Sequence, residues 1–122
     1  MLTQSHTVLP AADLKRLRGF YHDKLGMDPS EEHEGMLMYR DGQAGFDAYE
    51  TENAGSAKNT QMGWMTDDLD AEMARLRAVG VVFEEFDIPG MATTNGVVEN
   101  DGMRSAWFRD SEGNILCLTQ TT

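Results

Sequence analysis

One cysteine, Cys117, stands in the whole chain of 122 residues. That count excludes an internal disulfide and a cysteine-rich zinc cluster, and it suits a reducing, cytoplasmic setting. Positive charge is also scarce: 10 Lys and Arg stand against 21 Asp and Glu, a formal charge of -11. Nucleic-acid phosphates and anionic membrane surfaces are repelled by such a chain, and no basic stripe offsets the effect. No apolar run approaches the ~18 residues of a membrane span. The opening "MLTQSHTVLP" has neither a basic start nor a long apolar core, so it does not read as a signal peptide.

What is present is enough for one ordinary domain. A chain of this length buries roughly two-thirds of its unfolded surface, and hydrophobic residues make up 40% of it. "SHTVLPA" reads as a strand, followed by a helix capped by Asp13 and ended by Gly26 in a left-handed turn. Leu14, Leu17, Phe20, Tyr21 and Leu25 recur at helical spacing on its apolar face. "DPSEEHE" reads as a polar turn region, and "MLMYR" and "AGFDAYE" as strands joined by the hairpin signal "DGQ". "TENAGSAKN", residues 51–59, is a small, polar connector.

After the connector the pattern restarts. "TQMGWMT" is a strand, and Asp67 or Asp68 caps a helix whose apolar face is Leu69, Met73, Leu76 and Val79 before Gly80 closes it. "VVFEEF" is a predicted strand, "DIPGMATTNG" a longer loop, "VVENDGMRSAWFRD" a hairpin around "NDG", and "DSEGN" the turn into the last strand, "ILCLTQ". The halves align: His6 and Gln61, Asp13 and Asp68, and Leu14 and Leu69 are all 55 positions apart. The spacing predicts a repeated supersecondary unit, with one module over 1–50 and the other over 60–122.

Three stretches carry a resemblance. "LPAADLKRLRGFYHDKLGM" contains Phe20, Tyr21, Leu25 and Gly26 in an "FY....LG" pattern, "MTDDLDAEMARLRAVGVVF" repeats the helix, and "AWFRDSEGNILCLTQ" is similar to a closing hairpin usually written Asp-Pro-x-Gly-Asn, with Ser111 in the proline's place. Together they resemble the vicinal-oxygen-chelate superfamily, the glyoxalase and bleomycin-resistance fold. The resemblance implies an α+β fold of two βαβββ modules whose curled mixed sheets enclose a cleft, with the helices outside. It implies a homodimer and a small-molecule ligand. The activity implied is metal-assisted lyase, isomerase or dioxygenase chemistry or, alternatively, metal-free drug binding of the bleomycin-resistance type.

In metal-using relatives a divalent ion is held from the first strand of each module and from the last strand. The matching positions here are His6, Gln61 and Cys117, where Cys117 replaces the usual glutamate. A thiol is a soft ligand, unlike the carboxylate it replaces. Read from the residues alone, His6 is equally a hydrogen-bonding wall residue and Cys117 a small buried hydrophobe. Alternation places His6 and Val8 on the face away from the helix, with Asp47 and Tyr49 beside them if Phe46 and Ala48 face inward. Met65 shares a face with Gln61, and Trp107 or Phe108 stands on the adjoining strand. The expected pocket lining is therefore His6, Val8, Asp47, Tyr49, Gln61, Met65 and Cys117, with His6 the candidate catalytic base. Asp110 and Glu112 are read as turn residues, where Asp satisfies backbone donors locally, and not as catalytic carboxylates.

Overall fold

The computed structural model describes residues 1–42 and 44–121. Gln43 of the "DGQ" signal and Thr122 lie outside the described residues. The first module runs β1 (Thr7–Ala11), α1 (Leu14–Leu25), β2 (Glu31–His33), β3 (Met36–Asp41) and β4 (Ala44–Glu50). The second runs β5 (Met62–Met65), α2 (Leu69–Ala78), a small hairpin of β6 (Asp87–Ile88) and β7 (Met91–Ala92), then β8 (Val98–Asn100), β9 (Met103–Arg109) and β10 (Ile115–Thr121). Each module builds a four-stranded mixed sheet, ordered β1-β4-β3-β2 and β5-β10-β9-β8. In both, the first strand pairs in parallel with the last and the other neighbours are antiparallel. The fold is thus the α+β pair of βαβββ modules expected from the repeat.

Local chemistry sets the helix ends. The Asp13 carboxylate accepts the Arg16 N–H at 3.1 Å, and that of Asp68 accepts the Ala71 N–H at 3.0 Å, so the repeat of caps is real. Gly26, at φ 69, turns the chain out of α1 in the left-handed region that a side chain disfavours. Leu17 and Tyr21 of α1 and Leu69, Met73 and Leu76 of α2 are buried, whereas Val79 is exposed. They meet alternate strand residues: Leu9, Ala11, Phe46 and Ala48 in the first sheet, Leu116 and Leu118 in the second. Tyr21 contacts both Tyr39 and Phe46, and those two rings stack at 4.6 Å. The opposite face of each sheet has no helix on it and exposes Val8, Tyr49, Met65 and Met103.

Three expectations differ. "DPSEEHE" is not only a turn, because Glu31–His33 form β2, whose three residues are all exposed. They carry no apolar alternation, and the strand exists because β3 offers them an edge. "VVFEEF" is not a strand. Phe83 makes one bridge to Phe108, and the Glu84 N–H reaches the Trp107 carbonyl at 2.8 Å, while β8 takes the rest of the same edge of β9. "DIPGMATTNG" is not a plain loop but contains the β6–β7 hairpin, turned at Pro89 and Gly90. Pro89 presets φ and Gly90 takes φ 80, a combination suited to a tight turn.

Candidate functional site

Register decides which side chains share the uncovered faces. In the first sheet Val8 lies opposite Asp47, which lies opposite Met38, and Pro10 opposite Tyr49, which lies opposite Met36. In the second, Gly63 lies opposite Cys117, which lies opposite Trp107, and Met65 opposite Thr119, which lies opposite Ser105. Val8 and Gly63 are again 55 positions apart. Asp47 and Cys117 are therefore equivalents, each on the last strand of its module. Trp107 joins the uncovered face, while Phe108 is fully buried on the helix side.

His6, which precedes β1, and Asp47 are brought together. His6 Nε2 lies 3.0 Å from Asp47 Oδ2, and Arg40 Nη2 lies 2.7 Å from Oδ1. The carboxylate is almost wholly covered by these partners, so it is not the exposed edge residue its position on the strand allows. Arg40 is itself fixed by hydrogen bonds to the carbonyls of Tyr39 and Phe46. The sequence reading missed Arg40. Its signal is the alternation Met36, Met38, Arg40, which puts it on the face of Asp47. A buried carboxylate between an imidazole and a guanidinium orients the imidazole and keeps one ring nitrogen free for proton transfer or for a ligand.

Gln61 and Cys117 are engaged elsewhere. The Gln61 side chain accepts the Ile115 N–H at 2.9 Å and donates to Asn114 Oδ1 at 3.0 Å, so both ends of its amide are taken within the chain. Cys117 is 9% exposed and lies 3.5 Å from the Thr119 hydroxyl. Burial pushes its thiol pKa up, and hydrogen bonds from Thr119, Ser105 and Ala106 oppose this only in part. The thiol thus favours its protonated form. Among the described residues no three His, Cys, Asp or Glu side chains cluster as a metal site. The donors at the ligand positions, as this chain arranges them, do not fit the divalent ion that the resemblance implies.

The closing turn is a second polar centre. Asp110 Oδ1 accepts the N–H groups of Glu112 and Asn114, and Oδ2 accepts the Tyr21 hydroxyl at 2.8 Å and the Asn114 amide at 2.8 Å. Burial first, and the Asp110 charge second, hold the Tyr21 phenol well above its usual pKa. Glu112 reaches across to the first module, where Oε1 accepts the N–H groups of Ala12 and Asp13, both at 2.9 Å. Arg16 binds both of its oxygens. Burial alone would raise the Glu112 pKa, but Arg16, the Asp13 N–H and Ser111 outweigh it and bring it down to about 2. These carboxylates join modules; they do not face the uncovered sheets.

The whole pattern, two modules with matched caps and the Asp-x-x-Gly-Asn turn, has relatives. Residues 3–118 match the family model of the Glyoxalase/Bleomycin resistance protein/Dioxygenase superfamily. The chain belongs to that superfamily. No curated protein matches the sequence. Among solved structures, TnmS3, an antibiotic binding protein from Streptomyces sp. CB03234, is 23% identical over 100% of both chains, with a TM-score of 0.67. The fosfomycin resistance protein FosX from Listeria monocytogenes, solved with Mn(II) and sulfate, is 17% identical over 100% of this chain and 92% of its own, with a TM-score of 0.71. A glyoxalase/bleomycin resistance protein/dioxygenase from Nocardioides is 18% identical over 99% and 84%, at 0.68. At these identities the likeness is one of fold. Among the described residues no helix is long and apolar enough to cross a membrane.

Proposed function

We propose that this chain binds a small organic molecule against the uncovered faces of its two sheets and holds it without a resident metal, in the manner of an antibiotic-binding protein. One observation carries the reading: the amide of Gln61 is consumed by Asn114 and Ile115, on a face that also carries Met65, Met103 and Trp107. Val8, Tyr49, Met65 and Met103 on these faces are exposed hydrophobics of the kind that line ligand sites or interfaces. The lining is His6, Val8, Asp47, Tyr49, Gln61, Met65 and Cys117, to which Arg40 and Trp107 are added. The exposure of Val8 and Met65 supports a homodimer in which a second copy completes each site. A single thiol and no disulfide support a cytoplasmic location.

A thermal-shift screen of cationic, neutral and anionic aromatic compounds tests the reading. A ligand bound to the folded chain raises the melting temperature, and metal-stripped and untreated protein are expected to respond alike. A ligand response that appears only after a divalent ion is added would replace this reading with the metal-dependent one.

A second reading has its own support. The His6–Asp47 pair at 3.0 Å is the geometry of an oriented general base, and it favours an enzyme that moves a proton on the bound molecule. Under that reading His6→Ala abolishes turnover of a ligand found in the screen but leaves its binding, whereas under the first it changes binding alone.

A further inference from the structure

The β6–β7 hairpin and the uncovered face of the second sheet line an open cavity of about 360 Å³. This lies within the roughly 300–1,000 Å³ typical of small-molecule sites. Its walls include Met91, Val98, Asp101, Met103, Ser105 and Trp107. Two features set its chemistry. Trp107 is held in one orientation, because its Nε1–H donates to the Thr60 hydroxyl at 3.0 Å and Phe86 meets it edge-on, centroids 5.7 Å apart at 84°. Second, among the described residues no Lys or Arg lines the cavity, while Asp101 does. The nearest arginine in sequence, Arg104, is taken by Asp70 and Glu99.

The cavity is preformed. Thr93 clamps the base of the hairpin: its N–H donates to the Phe86 carbonyl at 2.9 Å, and its hydroxyl accepts the Phe86 N–H at 2.9 Å. Phe86 in turn fixes Trp107. The register places Trp107 directly opposite Cys117, so the cavity opens on the same face as the proposed lining.

We propose that this cavity is the subsite for a planar aromatic cation, with Trp107 as the stacking platform, Met91 and Met103 as adaptable flanks and Asp101 as the counter-charge. The inference rests on the reading that the chain binds a small molecule at these faces, and it names which molecules and which end of the face. A fixed indole attracts a flat cation through its ring quadrupole. Thioethers fit irregular apolar outlines. The chain's charge of -11 draws a cation and repels an anion of the same shape.

The test is a calorimetric and fluorescence titration of the intact protein with proflavine, a planar aromatic cation, and with acridone, a neutral analogue of similar outline. Proflavine is expected to bind more tightly than acridone, to quench tryptophan emission and to weaken with added salt. Trp107→Leu is expected to lower proflavine affinity by about tenfold or more, and Trp107→Phe to restore most of it. Asp101→Asn, at an exposed turn, is expected to lower affinity for proflavine and leave acridone unchanged. Equal affinity in wild type and Trp107→Leu, or loss in Trp107→Leu that Trp107→Phe does not restore, overturns the subsite. If proflavine instead binds and is lost in Tyr49→Ala but not in Trp107→Leu, the subsite falls and the small-molecule reading stands. Absence of binding by both probes overturns the subsite; the wider reading falls only when the whole thermal-shift screen is also silent.

Discussion

Glu112 and Arg16 meet as a two-point pair from opposite ends of the chain, Nε to Oε2 at 2.8 Å and Nη2 to Oε1 at 3.1 Å. The carboxylate side chain is fully covered, while the guanidinium is half exposed. The same carboxylate accepts two backbone N–H groups at the start of α1. Removing it leaves those donors and the Arg16 guanidinium without their shared partner. Glu112→Ala is expected to cost about 3–5 kcal/mol of stability, and Arg16→Ala clearly less, because water replaces part of its partner. Urea denaturation of both variants measures this, and a loss below that of Arg16→Ala would show that Glu112 is not the centre of the contact.

Acid stability follows from the same group. The folded pKa is about 2 against an ordinary 4.5. The carboxylate is depressed, so between these values the unfolded chain binds the extra proton. Its contribution is full above about pH 4.5 and fades as pH falls toward 2, a loss of about 3 kcal/mol. Unfolding free energies from pH 6 to 2.5 are expected to fall more steeply in the wild type than in Glu112→Gln. Parallel curves would sink the assignment.

Cys117 is expected to be a quiet thiol. It is buried, and its pKa is raised by that burial. Alkylation by iodoacetamide at neutral pH should run at least about tenfold slower in the folded protein than in urea. Cys117→Ala should cost about 1 kcal/mol, a small loss of packing. Fast labelling of the native protein would make Cys117 a candidate nucleophile instead.

Gly63 lies opposite Cys117, and a Cβ built there comes within 2.9 Å of the Cys117 carbonyl. Backbone cannot yield as a side-chain tip can. Gly63→Ala is expected to lose about 1–3 kcal/mol and to disturb the β5–β10 edge, visible as a lower melting temperature and shifted amide resonances at 62–65 and 116–119. An unchanged melting temperature would mean that the two strands separate there at no cost.

Much of this fold is legible in the residues because the governing chemistry is local. Asp13 and Asp68 cap helices three residues away, and Gly26 supplies a backbone angle few other residues accept. Alternation likewise assigns Leu9 and Ala11 to the core and Val8 to the other side. What escapes is what depends on a distant partner. Glu31–His33 become a strand only because β3 is beside them, and "VVFEEF" fails to become one because β8 holds part of the edge it needs. The site divides the same way. The face shared by Asp47 and Tyr49 follows from period two, whereas the occupation of Gln61 by Asn114 and Ile115 joins residues over fifty positions apart. Arg40 was within reach, since it continues the Met36 and Met38 alternation.

The turn that receives the Ala12 and Asp13 N–H groups ahead of α1 belongs to the other half of the chain, as do the carboxylate that receives the Tyr21 hydroxyl and the amide that donates to the Pro10 carbonyl. The repeats are therefore not autonomous beads. A fragment ending at the 51–59 connector would keep the Asp13 cap but lose the partner of the Ala12 and Asp13 N–H groups and strand the Tyr21 phenol, and would be expected to fold only when its complement is supplied. Opening the chain at that connector while joining residues 1 and 122 through a flexible linker would keep all these partners in one chain, so a circular permutant should fold where a half does not.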